Sequence, residues 1–162
     1  MSAARVIDGL TAALRRRFAC VFAALCGAPS RAAEIAALAE LDALLRSVEH
    51  MLLAEREARC GLASLCPDAS FGSADLLWAT RRLQALLQHA RADARPARDE
   101  LLDYLALFHG ELLIALHARR HEIAPWLGGE KGCAAAGALL ANYRASLDAL
   151  ESAAPLPEPA TA

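Results

Sequence analysis

Two histidines four residues apart, His117 and His121, are the first residues of this chain whose type and spacing suit chemistry. On a helix that spacing puts both imidazoles on one face, as two metal ligands would stand. Glu122 follows them, and His50 and Glu55 share another predicted helix. Together they sketch the His and Glu set of a hemerythrin-like di-iron bundle. The details run the other way. The first predicted helix has no histidine, and Glu-x-x-His does not occur. At about 100° per residue, His117 and His121 lie about 160° and 200° around from Leu101, away from the main apolar stripe. They read as surface or packing histidines, and no metal or other cofactor is expected.

Other reaction chemistry has no support. There is no Gly-x-Ser-x-Gly and no recognisable Cys/His pairing for a nucleophile. Gly128-Gly129 precedes Lys131-Gly132, but a phosphate loop would need a different length and a Ser or Thr. A histidine-phosphotransfer helix would want a histidine where Gly128 stands. No enzyme is expected. The remaining candidates are binding residues. Trp78 and Trp126 stand near predicted helix ends, where carbonyls can accept an indole N–H. Asp68, Asp75, Asp99, Glu100 and Asp103 gather around a loop and the start of a helix. Asp75 and Asp99 also stand near predicted helix N-termini, where carboxylates are favoured on local grounds alone.

These residues need a helical frame. Of the 162 residues, 56% are hydrophobic but only 5% aromatic, so the core must be built from Leu, Ala and Val. The length fits one domain. A net charge of −2 gives no nucleic-acid footprint. No uninterrupted apolar run reaches the roughly 18 residues of a membrane span. Val6, Leu10, Leu14, Phe18, Val21 and Leu25 step at three or four residues, which predicts an amphipathic first helix over about 3–27. That stripe starts before Arg15-Arg16-Arg17, so the arginines and the apolar residues after them read as helix rather than export signal. A second helix over 31–59 has Ile35, Leu38, Leu41, Leu45, Val48 and Leu52 inward, with Gly61 just past its end. A third over 74–93 turns Leu76, Leu83, Leu87 and Ala90 inward, with Pro96 beyond its end. A fourth over 97–124 carries Leu101, Leu105, Phe108, Leu112, Leu116 and Ile123 on one face and Leu107 and Ile114 on the other. Apolar on both sides, it reads as a buried central helix. A fifth over 132–152 has Leu140, Tyr143, Leu147 and Leu150 inward. The expected fold is all-α, a single-domain bundle over 1–152, followed by a disordered Pro-rich tail over 153–162. Five cysteines without CxxC spacing read as reduced thiols, mostly small core residues.

Four segments, in order, resemble the redox-enzyme maturation chaperones of the TorD, DmsD and NarJ type. They are RFACVFAALCGAPS (17–30), CPDASFGSADLLW (66–78), RPARDELLDYLALF (95–108), and His121 followed by Pro125-Trp126 and then Tyr143. The family's Asp-His turn is replaced here by Asp99-Glu100, and the Glu before its Pro by Arg95. The aromatic-rich segment that follows the family's second helix is eroded here to AEREARCGLASL (54–65). The resemblance implies a TorD-like cytoplasmic chaperone. Its partner would be the catalytic subunit of a molybdopterin oxidoreductase, or that subunit's twin-arginine leader, during cofactor insertion.

A receptor for such a leader needs an apolar groove edged with acids. Asp68, Phe71, Asp75, Trp78, Asp99, Glu100, Asp103, His121 and Trp126 are the residues expected to provide it. The chain is expected to be a monomer or a dimer swapped about Gly128-Gly129, without nucleic acid and without stable membrane insertion. The alternatives are an unrelated helical interaction module, such as a secretion chaperone or a Bcl-2-like protein, and the di-iron bundle. The Asn-Trp-Gly-Arg signature of the Bcl-2-like proteins is absent, with Leu77-Trp78-Ala79-Thr80 here.

Overall fold

A computed structural model describes residues 3–62, 73–92, 95–123 and 134–152. Among them are five helices and no strand: α1 (Ala3–Cys26), α2 (Arg31–Leu62), α3 (Ser73–Ala92), α4 (Arg95–Ile123) and α5 (Ala134–Ser152). The all-α bundle is what a Leu/Ala-rich, aromatic-poor composition builds. The 153–162 tail and the Gly128-Gly129 hinge lie outside the described residues.

The apolar stripes account for the packing. Val6, Leu10, Leu14, Phe18, Val21 and Leu25 are all buried, so α1 is a core helix. It packs on α2, α4 and α5; α3 lies against α2 and α4, and α5 against α1 and α2. Gly9 lets α5 come close, because a Cβ there would stand 3.1 Å from the Leu147 side chain. Between α1 and α2 the chain turns through Gly27, whose N–H bonds the Ala23 carbonyl, and Pro29. Ser30 then caps α2, its hydroxyl accepting the Ala33 N–H at 3.2 Å.

Arginines close several helix C-termini, where backbone carbonyls have no partner within the helix. Arg17 donates to the Leu150 carbonyl near the end of α5 at 2.7 Å. Arg31 donates to the Ala90 and Arg91 carbonyls at the end of α3, at 3.1 and 2.8 Å. Arg98 reaches the Leu25 carbonyl at the end of α1, at 2.5 Å. Each guanidinium also meets the negative end of a helix dipole. Arg17, read in isolation as part of a basic leader, ties α1 to α5.

Several expectations are corrected. Ile35 is 44% exposed, at the surface of α2 rather than on its buried stripe. Leu107 is 70% and Ile114 61% exposed. Thus α4 is buried along the Leu101–Leu116 stripe against α1 and α3, while its second apolar face is at the surface rather than inside the bundle. Gly61 does not end α2, which runs on to Leu62. Pro96 falls in the first turn of α4, where a missing N–H costs nothing. Asp99 is therefore past the helix start and caps nothing. Cys20 and Cys26 are free and exposed rather than in the core. The stretch Ala97–His121 is long and apolar enough to cross a membrane by length and composition, with mean hydropathy 1.3. One face of it already serves the protein core.

Candidate binding face and buried polar triad

The α3–α4 hairpin places the acidic and aromatic candidates. Arg82 Nη2 lies 3.7 Å from Glu100 Oε1, which shows how the two antiparallel helices are aligned. One turn back along α3 from Arg82 is Trp78, and one turn forward along α4 from Glu100 are Asp103 and Tyr104. Trp78 is 66% exposed, far more than a core anchor would be. Asp75, Glu100 and Asp103 are exposed too. Asp75 sits in the first turn of α3, where the helix dipole favours it. Counted in helical turns from the Arg82–Glu100 contact, one exposed indole and three exposed carboxylates fall on the same hairpin. Arg82, the cation of this rim, is engaged with Glu100.

Not all the expected site residues meet there. Asp99 is exposed but projects about 100° away from Glu100 around α4, about 40° from Asp103 on the outward face of the helix. His121 is exposed about 27 Å along the helix from Asp103, at 1.5 Å per residue. Its ring packs edge-on against His117 at 4.9 Å. Asp68, Phe71 and Trp126 lie outside the described residues.

The most elaborate polar arrangement was invisible as a motif. Glu55 of α2, Arg119 of α4 and Tyr143 of α5 are buried together. Arg119 donates from Nε at 2.7 Å and from Nη2 at 2.5 Å to Glu55 Oε1. Tyr143 Oη donates to Glu55 Oε2 at 2.6 Å. The guanidinium also reaches the Ala115 carbonyl, at 3.2 Å. Charge pairing and hydrogen bonds together offset the cost of taking a carboxylate and a guanidinium out of water. The triad ties three helices at one end of the bundle. Glu55, which with His50 entered the di-iron alternative on sequence, belongs to this network, whereas His50 is exposed. The signal was present: Glu55 continues the Leu41–Leu52 stripe, and Arg119 continues Leu101–Leu116. A charge in step with a buried stripe announces a buried partner.

On the other flank of α4, an open groove of about 350 Å³ runs along α1 between Phe18, Phe22, Ala23, Leu105 and His109. His109 stacks on Phe18 with centroids 5.0 Å apart. Its Nε2 is buried with no hydrogen-bond partner among the described residues. Burial, and secondarily the Arg15 charge, hold this imidazole below its ordinary value of 6.5. The fold thus accommodates the neutral ring, while the unfolded chain takes up the proton more readily. The His109 contribution to stability is complete above the unfolded value and is lost as pH falls from there through the lower folded value. Denaturation midpoints measured from about pH 8 down to about pH 5.5 should therefore decline, and His109→Gln should flatten part of that decline. An identical slope in the variant would remove His109 as its source.

No protein-family model, no curated protein and no solved structure matches this chain.

Proposed function

We propose that the protein is a non-catalytic cytoplasmic chaperone. It binds the catalytic subunit of a molybdopterin oxidoreductase, or its twin-arginine leader, during cofactor insertion. The observation that supports this reading is Trp78, 66% exposed on a hairpin rim with Asp75, Glu100 and Asp103. A leader segment joins paired guanidinium groups to an apolar stretch. Carboxylates and an indole face are the groups that complement those two parts, by charge-assisted hydrogen bonds and by apolar or cation–π contact. The ordered resemblance of four segments to the TorD type supports the same reading.

Titration calorimetry with a leader peptide, and with a control in which both arginines are lysines, tests it. The arginine peptide should bind more tightly, because only guanidinium pairs in a bidentate way with carboxylates. Trp78→Ala should weaken binding about tenfold or more, roughly 1.4 kcal/mol, without changing helical content. Asp75→Asn with Asp103→Asn should weaken it further and reduce its salt dependence. Equal binding by the Trp78→Ala variant would mean the rim is not the site. Failure of the unaltered protein to bind either leader or subunit would remove the function itself.

A further inference from the structure

The outward face of α4 is complementary to itself. At its middle, Leu107 and Ile114 are 70% and 61% exposed, seven residues apart and so on one side of the helix. Between them is Gly110, also exposed, with nothing within 4 Å of where a Cβ would be. Toward the start of α4 the same face carries Asp99 and Asp103, and toward its end His117 and His121, all exposed. At about 100° per residue, all seven positions fall within an arc of roughly 80°, opposite the buried Leu101–Leu116 face.

The spacing of the Asp and His residues is symmetric about the glycine. Asp103 stands seven residues before Gly110 and His117 seven after it; Asp99 stands eleven before and His121 eleven after. Seven and eleven residues are close to two and three helical turns, so each pair shares the face with Gly110. Turn a second α4 antiparallel over the first with the two-fold axis at Gly110. Asp103 then meets the partner's His117, Asp99 meets the partner's His121, and Leu107, three residues before the glycine, falls within one residue's rise, about 1.5 Å, of standing opposite the partner's Ile114, four after it. The two glycines cross where the helices come closest, within the 8–10 Å of ordinary helix packing. Imidazole N–H groups donate to carboxylates at both ends, and the apolar pairs fill the centre. In a parallel arrangement carboxylate would face carboxylate.

We propose that two copies of the chain associate through this face, as an isologous antiparallel α4–α4 dimer centred on Gly110. Among the described residues, neither Asp99 nor Asp103 has an ion pair within its own chain that would compete. The interface is one helix pair, at the small end of protein interfaces, so it is a reversible dimer. This goes beyond the leader-binding reading and does not depend on it. Asp103 lies at the boundary of the two surfaces; Trp78 and Asp75 belong only to the hairpin rim.

Sedimentation equilibrium of the full chain over a concentration series tests the proposal. The expected result is a mass that rises with concentration from 17.2 kDa toward twice that value. Leu107→Asp with Ile114→Asp should hold the chain monomeric at every concentration, with unchanged far-ultraviolet circular dichroism because both positions are exposed. Two charge variants make the geometry explicit. Asp99→Lys with Asp103→Lys, and separately His117→Glu with His121→Glu, should each remain monomeric. Mixed in equal amounts they should form a heterodimer, because the lysines of one then face the glutamates of the other. A monomeric unaltered protein across the series would overturn the proposal. So would a dimer indifferent to these substitutions, or a heteromixture that fails to associate. The monomer binding anionic lipid vesicles through Leu107 and Ile114 would assign the face to a membrane instead, and would overturn it as well.

Discussion

Arg119→Ala is expected to destabilise the fold by about 3–5 kcal/mol, the range for breaking a buried ion pair from one side. Arg119 is 1% and Glu55 0% exposed, so water cannot take over the solvation of the carboxylate when its guanidinium is removed. Tyr143→Phe removes one hydrogen bond to a charged oxygen, made at 2.6 Å, and should cost about 1.5–3 kcal/mol. Replacing the set together, Glu55→Leu with Arg119→Met and Tyr143→Phe, should cost less than Arg119→Ala alone. An apolar triad of similar volume strands neither charge of the Glu55–Arg119 pair, and the three changes are coupled rather than additive. Urea denaturation of the single, double and triple variants reads this directly. If Arg119→Ala costs under about 1 kcal/mol, the pair is a bystander, and the joint of α2, α4 and α5 rests on apolar packing alone.

Phe18→Ala should cost a comparable amount, about 3–5 kcal/mol, for a different reason. Phe18 is 1% exposed and sits edge-on to Phe108, with ring centroids 6.2 Å apart, while stacking on His109. Its loss removes the aromatic contact between α1 and α4 and opens a cavity beside the groove. The same change should have a second signature. With the covering ring gone, His109 regains water, and its pKa should move up toward the ordinary value of 6.5 from which burial lowers it. The acid-side loss of stability assigned to His109 should then shrink. Denaturation gives the first quantity, and a histidine-resolved proton NMR titration the second. A large stability loss with no change in the His109 titration would mean that Phe18 packs α1 on α4 without governing that imidazole.

The helices were legible because their buried faces repeat in step with the helix. The α1 stripe from Val6 to Leu25 is buried as its spacing predicts, and the same holds for Leu38–Leu52 and Leu101–Leu116. Stops were less legible. Gly61 carried an end signal that α2 overrides, since one glycine costs a helix only about 1 kcal/mol. The candidate site was half legible. Asp75, Trp78 and Glu100 are exposed on the α3–α4 hairpin with Asp103 at its edge, while Asp99 and His121, grouped with them by proximity in sequence or by resemblance, share the outward face of α4 with Asp103.

What the amino-acid order determined by itself is periodic and local: five helices and most of their inner faces. Each depends on residues within a few turns of one another. What only the tertiary structure decided is which face finds a neighbour. Leu107 and Ile114 are as apolar as Leu105 and Leu112, and periodicity alone ranks both faces of α4 as core. Only the positions of α1 and α3 leave one of them outside. Glu55 and Arg119, 64 residues apart, become one ion pair for the same reason: burial is a property of the packed bundle. A charge placed on a buried stripe has to find its partner on another helix, because leaving it unpaired there costs more than the fold can spare.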